Sequence, residues 1–505
     1  MRQIEQRLRA LAPGALGGLR RGIEKESLRV RPDGALAQTP HPAGLGAALT
    51  HPHITTDFSE SQLELITGVH AGADACLEEL TQIHQVVYRN IGDEVLWCAS
   101  MPCGLPADDA IPIGRYGSSN VGRAKTVYRI GLAHRYGRRM QAISGIHYNF
   151  SMQGLSNDAY FALIRNFRRH SWLLLYLFGA SPAVCASFVK GRAHELQELK
   201  PGTFHMPHGT SLRMGRLGYQ SEVQALLAVS YNSLESYGAS LQEALTRPYP
   251  PYEAMGIREG EDYRQLATSL LQIENEFYGT IRPKRVLRRG ERPLHALRER
   301  GVEYVEARLM DLNPFCAVGI AVGTLRFLDV FLLHCLLCDS PPDTPQELEA
   351  MARNLLRAAV RGREPGLRLE RGSQDVTLFE WGGQVLAECG PIAAALDAAN
   401  GGTGYSEALQ NAVAVLGDSA STPSARVLEA MQQSHDGSYS RFVLAQSLQH
   451  RTTIQSLALG ADVAERFSRL AEVSLAEQRR IEASDTVPFE TFRQQYLGIV
   501  KPASG

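Results

Sequence analysis

The chain has no apolar run long enough to cross a bilayer. Its two most hydrophobic stretches, "WLLLYLF" and "FLDVFLLHCLLC", fall short of the roughly 20 residues a spanning helix needs, and Asp329 and His334 interrupt the second. Net charge is almost absent too. With 52 Lys and Arg against 53 Asp and Glu, the formal charge is −1, so no global field draws the protein to nucleic acid or an anionic membrane. Familiar catalytic signatures are also missing. There is no G-x-x-x-x-G-K-[ST] and no G-x-S-x-G, and "GGTG" at Gly401 to Gly404 is too weak for a dinucleotide fingerprint. "HELQE" from His194 carries Glu198 where a zincin needs its second histidine. No internal repeat or low-complexity tract occurs.

The N-terminal "MRQIEQRLRALAPG" lacks the apolar centre of a secretion signal and predicts a short amphipathic helix ended by Pro13 and Gly14. The eight cysteines (76, 98, 103, 185, 316, 335, 338 and 389) are scattered rather than spaced as a compact disulfide framework, which fits a reducing cytoplasm. Cys335 and Cys338 form a C-x-x-C inside an apolar helical run, where buried structural thiols are expected rather than a redox pair.

With 44% hydrophobic and 21% charged residues, the chain can bury a large core. Period-2 stretches ("SQLELIT", "SGIHYNFSM", "VEYVEARLM") mix with helical ones such as "ACLEELTQIHQVVYRNIGDE", without strict alternation. This predicts an α+β fold with an antiparallel sheet. From about Phe327 the pattern turns helical: "TPQELEAMARNLLRAAVRG", "PIAAALDAAN", "SARVLEAMQQSH" and "DVAERFSRLAEVSLAEQRRIEA" carry cap residues at their ends. "RGREPGLRLERGSQD" reads as the most linker-like loop. The expected organisation is a sheet-and-helix region over residues 1–330 and a helical region over 331–505 packed on it as one unit.

Three strand-like segments carry carboxylates among apolar neighbours. On a strand, equal parity means a shared face, so Glu24 and Glu26 in "RRGIEKESLRV" project together, away from Ile23 and Lys25. In "ITTDFSESQLELIT", Glu64 opposes Leu63 and Leu65, with Asp57 at the segment's entrance; in "VEYVEARLM", Glu306 and Arg308 share a face. Gathered at one site these carboxylates would repel unless a positive charge sat among them, and all-oxygen ligands suit Mg²⁺ or Mn²⁺. Taken singly, each segment is better explained as a solvated face paired with arginine, and the case for a site rests on their combination. "YGTIRPKRVLRRGERP" adds Arg282, Lys284, Arg285, Arg288 and Arg289, suited to phosphate oxygens or simply to a solvated turn.

Eight ordered blocks, "RGIEKESLRV", "LTHPHITTDFSESQLELIT", "SMPC", "YGSSNVGRAKTVYRIGLAHRYG", "SGIHYNFS", "LFGASPAVC", "LQIENEFYGTIRPKR" and "GVEYVEARLMDLNPF", resemble the proteobacterial glutamate–cysteine ligase family. The resemblance runs to about residue 330 and continues more weakly to "ASDTVPFETF". It implies a curved antiparallel sheet like that of glutamine synthetase and a cytoplasmic, monomeric ligase whose substrates are L-glutamate, L-cysteine and ATP. Mg²⁺, or Mn²⁺, would be held by Glu24, Glu26, Asp57, Glu64 and Glu306. Arg308, Glu306 and His147 would be catalytic; His147, Asn149, Arg282, Lys284 and Arg285 would face the nucleotide. Phe58, Tyr128, Arg129, Arg213, Tyr219 and Tyr278 would surround the amino-acid substrates. The chain departs from the family at Ile130, where well-known members carry an acidic residue. A related γ-glutamyl ligase with another amine acceptor, a metal-dependent phosphohydrolase and a non-catalytic binding protein are the competing readings.

Overall fold

A twelve-residue strand, β1 (Leu19–Val30), sets the rest of the fold. In this computed structural model, which describes residues 2–12, 14–218, 223, 227, 229–288 and 290–498, the strand is flanked by antiparallel partners on both sides. The further strands are β2 (Ile54–Thr56), β3 (Gln62–Ile66), β4 (Val95–Leu96), β5 (Ile146–Met152), β6 (Ile281–Lys284) and β7 (Tyr304–Met310). Among the described residues they form a seven-stranded sheet in the order β6-β7-β5-β1-β3-β2, with β4 paired to the far end of β1. Every pairing is antiparallel, as the sequence predicts.

β1 has little intrinsic strand propensity, since "LRRGIEKESLRV" is half charged; pairing on both sides and burial override it. Its buried charges therefore need partners. Arg21 pairs with Asp329 at 3.0 Å, and Tyr148 donates to the same carboxylate at 2.7 Å. Arg29 pairs with Glu94 at 2.6 Å and donates to the carbonyls of Thr39 and Glu60. Among the described residues Lys25 has only the His84 imidazole as a hydrogen-bond partner, at 2.9 Å, and burial pushes its ammonium down to about 7.

Period-2 alternation gives the sheet one apolar face. Ile23, Leu63, Leu65, Ile146, Tyr148, Phe150, Val305 and Ala307 are buried there in one core. That core also contains residues of α1 (Ala73–Asn90), α3 (Asn157–Phe178), α4 (Val322–Leu337) and α5 (Leu378–Asn400) and reaches Phe467. The opposite, polar face is crossed by α2 (Asn120–Tyr136) and approached by α6 (Phe489–Tyr496).

Three details differ from the sequence reading. α5 runs unbroken through Pro391, at which a helix start is predicted, because Leu386, Cys389, Ile392, Ala393 and Leu396 bury one continuous face across it. The linker-like "RGREPGLRLERGSQD" ends inside a hairpin, Arg368–Arg371 with Gln374–Thr377, whose turn uses Gly372 at φ 62°. Cys103 and Cys185, 82 residues apart, are joined by a disulfide with Cα atoms 5.4 Å apart, contrary to the scattered-thiol expectation. Both belong to a second core cluster with Trp97, Met101, Val184 and Phe442; spacing along the chain does not report such proximity.

Candidate active site

The polar face of the sheet floors a cavity of about 420 Å³. Register decides which side chains meet there. Glu26 lies directly opposite Glu64, Glu24 opposite His147, and Glu306 between Asn149 on one side and Arg282 on the other. Parity aims all of them the same way, so segments separated by up to 280 residues contribute to one surface.

His147 is the hub. Its Nδ1 is 3.2 Å from Glu24 Oε2 and 3.9 Å from Glu306 Oε1, and its Nε2 is 3.6 Å from Glu26 Oε1. Donor atoms of Glu24, His147 and Glu306 lie within 4.8 Å of one another, close enough to hold one metal ion. Asn149 Nδ2 donates to Glu24 Oε1 at 2.9 Å, and the Gly145 N–H donates to Glu26 Oε2 at 2.6 Å. Glu306 is clamped by Lys284 at 3.0 Å and by Arg308 Nη1 at 2.9 Å.

These surroundings divide the carboxylates. Burial drives Glu306 up, but the charges of Lys284 and Arg308 outweigh it and hold the group well below its ordinary range. Burial and Glu306 likewise push Glu24 up, and the hydrogen bond from His147 with the charge of Lys284 brings it below normal. Glu26 goes the other way: burial and Asp57 raise it to about 8, with Arg213, Arg308 and the Gly145 N–H only partly offsetting them. Glu64 is raised well above normal by burial and by Glu24, Asp57 and Glu26. Burial and Arg308 hold His147 below its ordinary value, against Glu24 and Glu306, which raise it. Lys284 and Arg308 thus satisfy Glu306, and His147 and Asn149 satisfy Glu24, whereas Glu26, Glu64 and Asp57 crowd together. An oxygen-rich set of this kind fits a hard divalent cation such as Mg²⁺ or Mn²⁺.

The remaining predicted residues divide by place. Asp57, Phe58, Tyr128, Arg129, Tyr278, Arg282 and Lys284 line the cavity. Arg129 donates through Nε to the Asp57 carbonyl and stacks over the Tyr116 ring at 4.4 Å. Tyr278 accepts from Gln141 Nε2 at 2.7 Å, and Arg282 donates to the carbonyls of Asn275 and Phe277. Two arginines are not on the cavity surface. Arg213 is fully buried behind it, its Nη2 donating to the Arg308 carbonyl at 2.7 Å, so it braces the catalytic strand. Arg285, one residue past Lys284, takes the opposite parity and binds the carbonyls of Arg300 and Gly301. Tyr219 and Arg289 lie outside the described residues. Ile130 lines a separate cavity with Arg123 and His134.

Sequence reasoning missed Lys125, Gln141, Asn275, Phe492 and Tyr496, all on the cavity wall. Lys125 sits one helical turn before Tyr128 and Arg129, a signal that i, i+3 and i+4 spacing carries. Phe492 and Tyr496 come from α6, more than 180 residues beyond β7, and no local pattern marks them.

An antiparallel sheet whose polar face sets clustered carboxylates beside arginine and lysine is the equipment of a ligase, which uses ATP to join an acid to an amine. The chain belongs to the glutamate–cysteine ligase family, whose model matches residues 6–358. A glutamate–cysteine ligase of Alcanivorax borkumensis is 47% identical over 98% of this chain and 100% of its own length. Another, from Pseudomonas entomophila, is 49% identical over 94% of this chain and 93% of its own. Among solved structures, the glutamate–cysteine ligase of Francisella tularensis in complex with AMP matches with a TM-score of 0.91 at 36% identity, covering 95% of this chain and 98% of that one. A bifunctional glutathione synthetase from Pasteurella multocida matches with a TM-score of 0.70 at 28% identity, covering 93% and 58% respectively.

Proposed function

We propose that the protein joins the γ-carboxylate of L-glutamate to the amine of L-cysteine, with ATP converted to ADP and phosphate, the first step of glutathione biosynthesis. The observation that carries this reading is the Lys284–Glu306–Arg308 clamp beside His147 and Glu24, in a chain matching these ligases along nearly its whole length.

A carboxylate is a poor electrophile. ATP first transfers its γ-phosphoryl to the glutamate γ-carboxylate, and the cysteine amine then displaces phosphate through a tetrahedral intermediate. Arg308, fixed by Glu306, presents a guanidinium to the transferring group. Arg282 and Lys284, on the same face of β6, face the nucleotide phosphates. Asn149 and His147 keep Glu24 oriented toward the centre of the floor. Mg²⁺ or Mn²⁺, held by Glu24, Glu26, Asp57, Glu64 and Glu306, supplies neutralisation of phosphate charge when bound. Tyr128, Arg129, Tyr278 and Phe58 form the wall nearest the amino acids, with Arg213 behind it.

The shared core supports treating residues 1–330 and 331–505 as one catalytic unit, and the resemblance to the family carries the reading of a cytoplasmic monomer. The test is ADP release from ATP and Mg²⁺ with glutamate, comparing L-cysteine, L-2-aminobutyrate and unrelated amines. Turnover confined to the cysteine-like acceptors is expected. Equal turnover with every amine would favour a broader γ-glutamyl ligase, and turnover without any amino acid would indicate a phosphohydrolase.

A further inference from the structure

We propose that His334, Cys338 and Glu388 form a zinc site, separate from the catalytic cavity, that fastens α4 to α5. His334 and Cys338 stand four residues apart at the end of α4 and share a face, and Glu388 reaches them from α5. His334 Nε2 is 2.8 Å from Glu388 Oε2 and 3.3 Å from Cys338 Sγ, and the three donor atoms lie within 4.8 Å of one another.

The protein groups do not satisfy one another. If Nε2 carries the proton it donates to Glu388 and offers the Cys338 thiol no lone pair, and if it does not, the carboxylate faces a lone pair, so the oxygen at 2.8 Å and the sulfur at 3.3 Å make opposed demands on one atom. The other nitrogen, Nδ1, has no hydrogen-bond partner among the described residues, although the His334 side chain is 0% exposed. A cation at the centre of the three donors resolves the competition at Nε2. Tetrahedral bond lengths of roughly 2.0 to 2.3 Å place such ligands about 3.3 to 3.6 Å apart, so the existing contacts need to widen by at most about half an ångström.

The donor set selects the ion. Sulfur and imidazole nitrogen with one carboxylate oxygen suit zinc and disfavour Mg²⁺. His170 and Cys335 form a second donor triad with His334, and Cys389 is buried beside Glu388, so the neighbourhood is rich in soft ligands. Glu388 is 39% exposed, which opens a path for the ion and leaves room for water as a fourth ligand. On binding, the Cys338 thiol gives its proton to solvent and ligates as thiolate, while the imidazole proton resides on Nδ1.

The experiment uses the full chain, stripped of metal with chelator and then saturated with Mg²⁺ so that the catalytic carboxylates are occupied. Co²⁺ is titrated as an optical probe of a zinc site. One equivalent is expected to produce a thiolate-to-cobalt charge-transfer band that Zn²⁺ abolishes by displacement. Cys338→Ser should lose the band, and Glu388→Gln should weaken binding by at least about tenfold, both retaining ligase turnover and its Mg²⁺ dependence. Both side chains are partly exposed, so neither change empties the core. Absence of the band in the unaltered protein, or an undiminished band in Cys338→Ser, overturns the site.

Discussion

Glu26 of β1 and Glu64 of β3 stand directly opposite each other in the sheet register, two enclosed carboxylates on one face with Asp57 beside them. Like charges so placed destabilise the protein unless a cation or a proton separates them. Glu26→Gln and Glu64→Gln should therefore abolish ligase activity while leaving the melting temperature unchanged or higher. Near-normal turnover at limiting Mg²⁺ in either variant would remove that residue from the metal-binding set.

Arg308 touches Glu306 at 2.9 Å and approaches His147 at 3.4 Å through the same Nη1, so that among the described residues the rest of its fork is left for the phosphoryl transfer proposed above. Lysine keeps the charge but not the fork. Arg308→Lys should lower kcat by about 10²- to 10³-fold, as removal of an oxyanion-stabilising donor does, with a smaller change in ATP affinity. An unchanged kcat refutes the role.

α6 closes one wall of the cavity with Phe492 and Tyr496, in an apolar cluster with Tyr128, Leu266 and Ile273. Arg292 stacks on Tyr496 at 5.5 Å and is itself held by Glu274 at 2.5 Å. Losing a buried aromatic wall of this size removes on the order of 1.5–3 kcal/mol of contact. Tyr496→Ala should raise the KM of at least one substrate by about tenfold or more, with kcat little changed. Wild-type KM values for all three substrates would mean that α6 only packs.

His51 accepts backbone N–H groups of Ile54 at 2.9 Å and His53 at 3.1 Å through Nδ1, and so must be neutral there. Burial and His53 push it down to about 4. The unfolded chain takes up this proton near pH 6.5, before the folded one does, so the contribution is complete above that pH. It is lost as pH falls toward 4, at up to about 1.4 kcal/mol per pH unit. His51→Asn, which keeps an acceptor without the titration, should shrink the drop in melting temperature between pH 7 and pH 5. An identical drop in both proteins would show that other groups govern this window.

Glu24, Glu26, Glu64 and Glu306 were legible as chemistry because strand parity is local: alternation alone puts a carboxylate on the face opposite its apolar neighbours. The ordered family blocks were legible for the same reason, each being a continuous stretch. Arg213 and Arg285 show where such reading stops. The first is fully buried off the cavity surface, a fate not written in its neighbours; the second follows its own parity one residue past Lys284, and it is the resemblance, not the alternation, that assigned it to the nucleotide.

The sequence by itself determined the alternation of β1, β3, β5 and β7, the helical character of the C-terminal third, and the identities of the carboxylates and cations. Only the tertiary structure decided that Glu26 faces Glu64, that Glu306 lies between Lys284 and Arg308, that α6 closes the cavity, and that Cys103 meets Cys185. The physical reason is range. Side-chain direction follows from a residue's own dihedral angles, whereas cross-strand register and helix docking are set by burial of a core joining residues hundreds of positions apart.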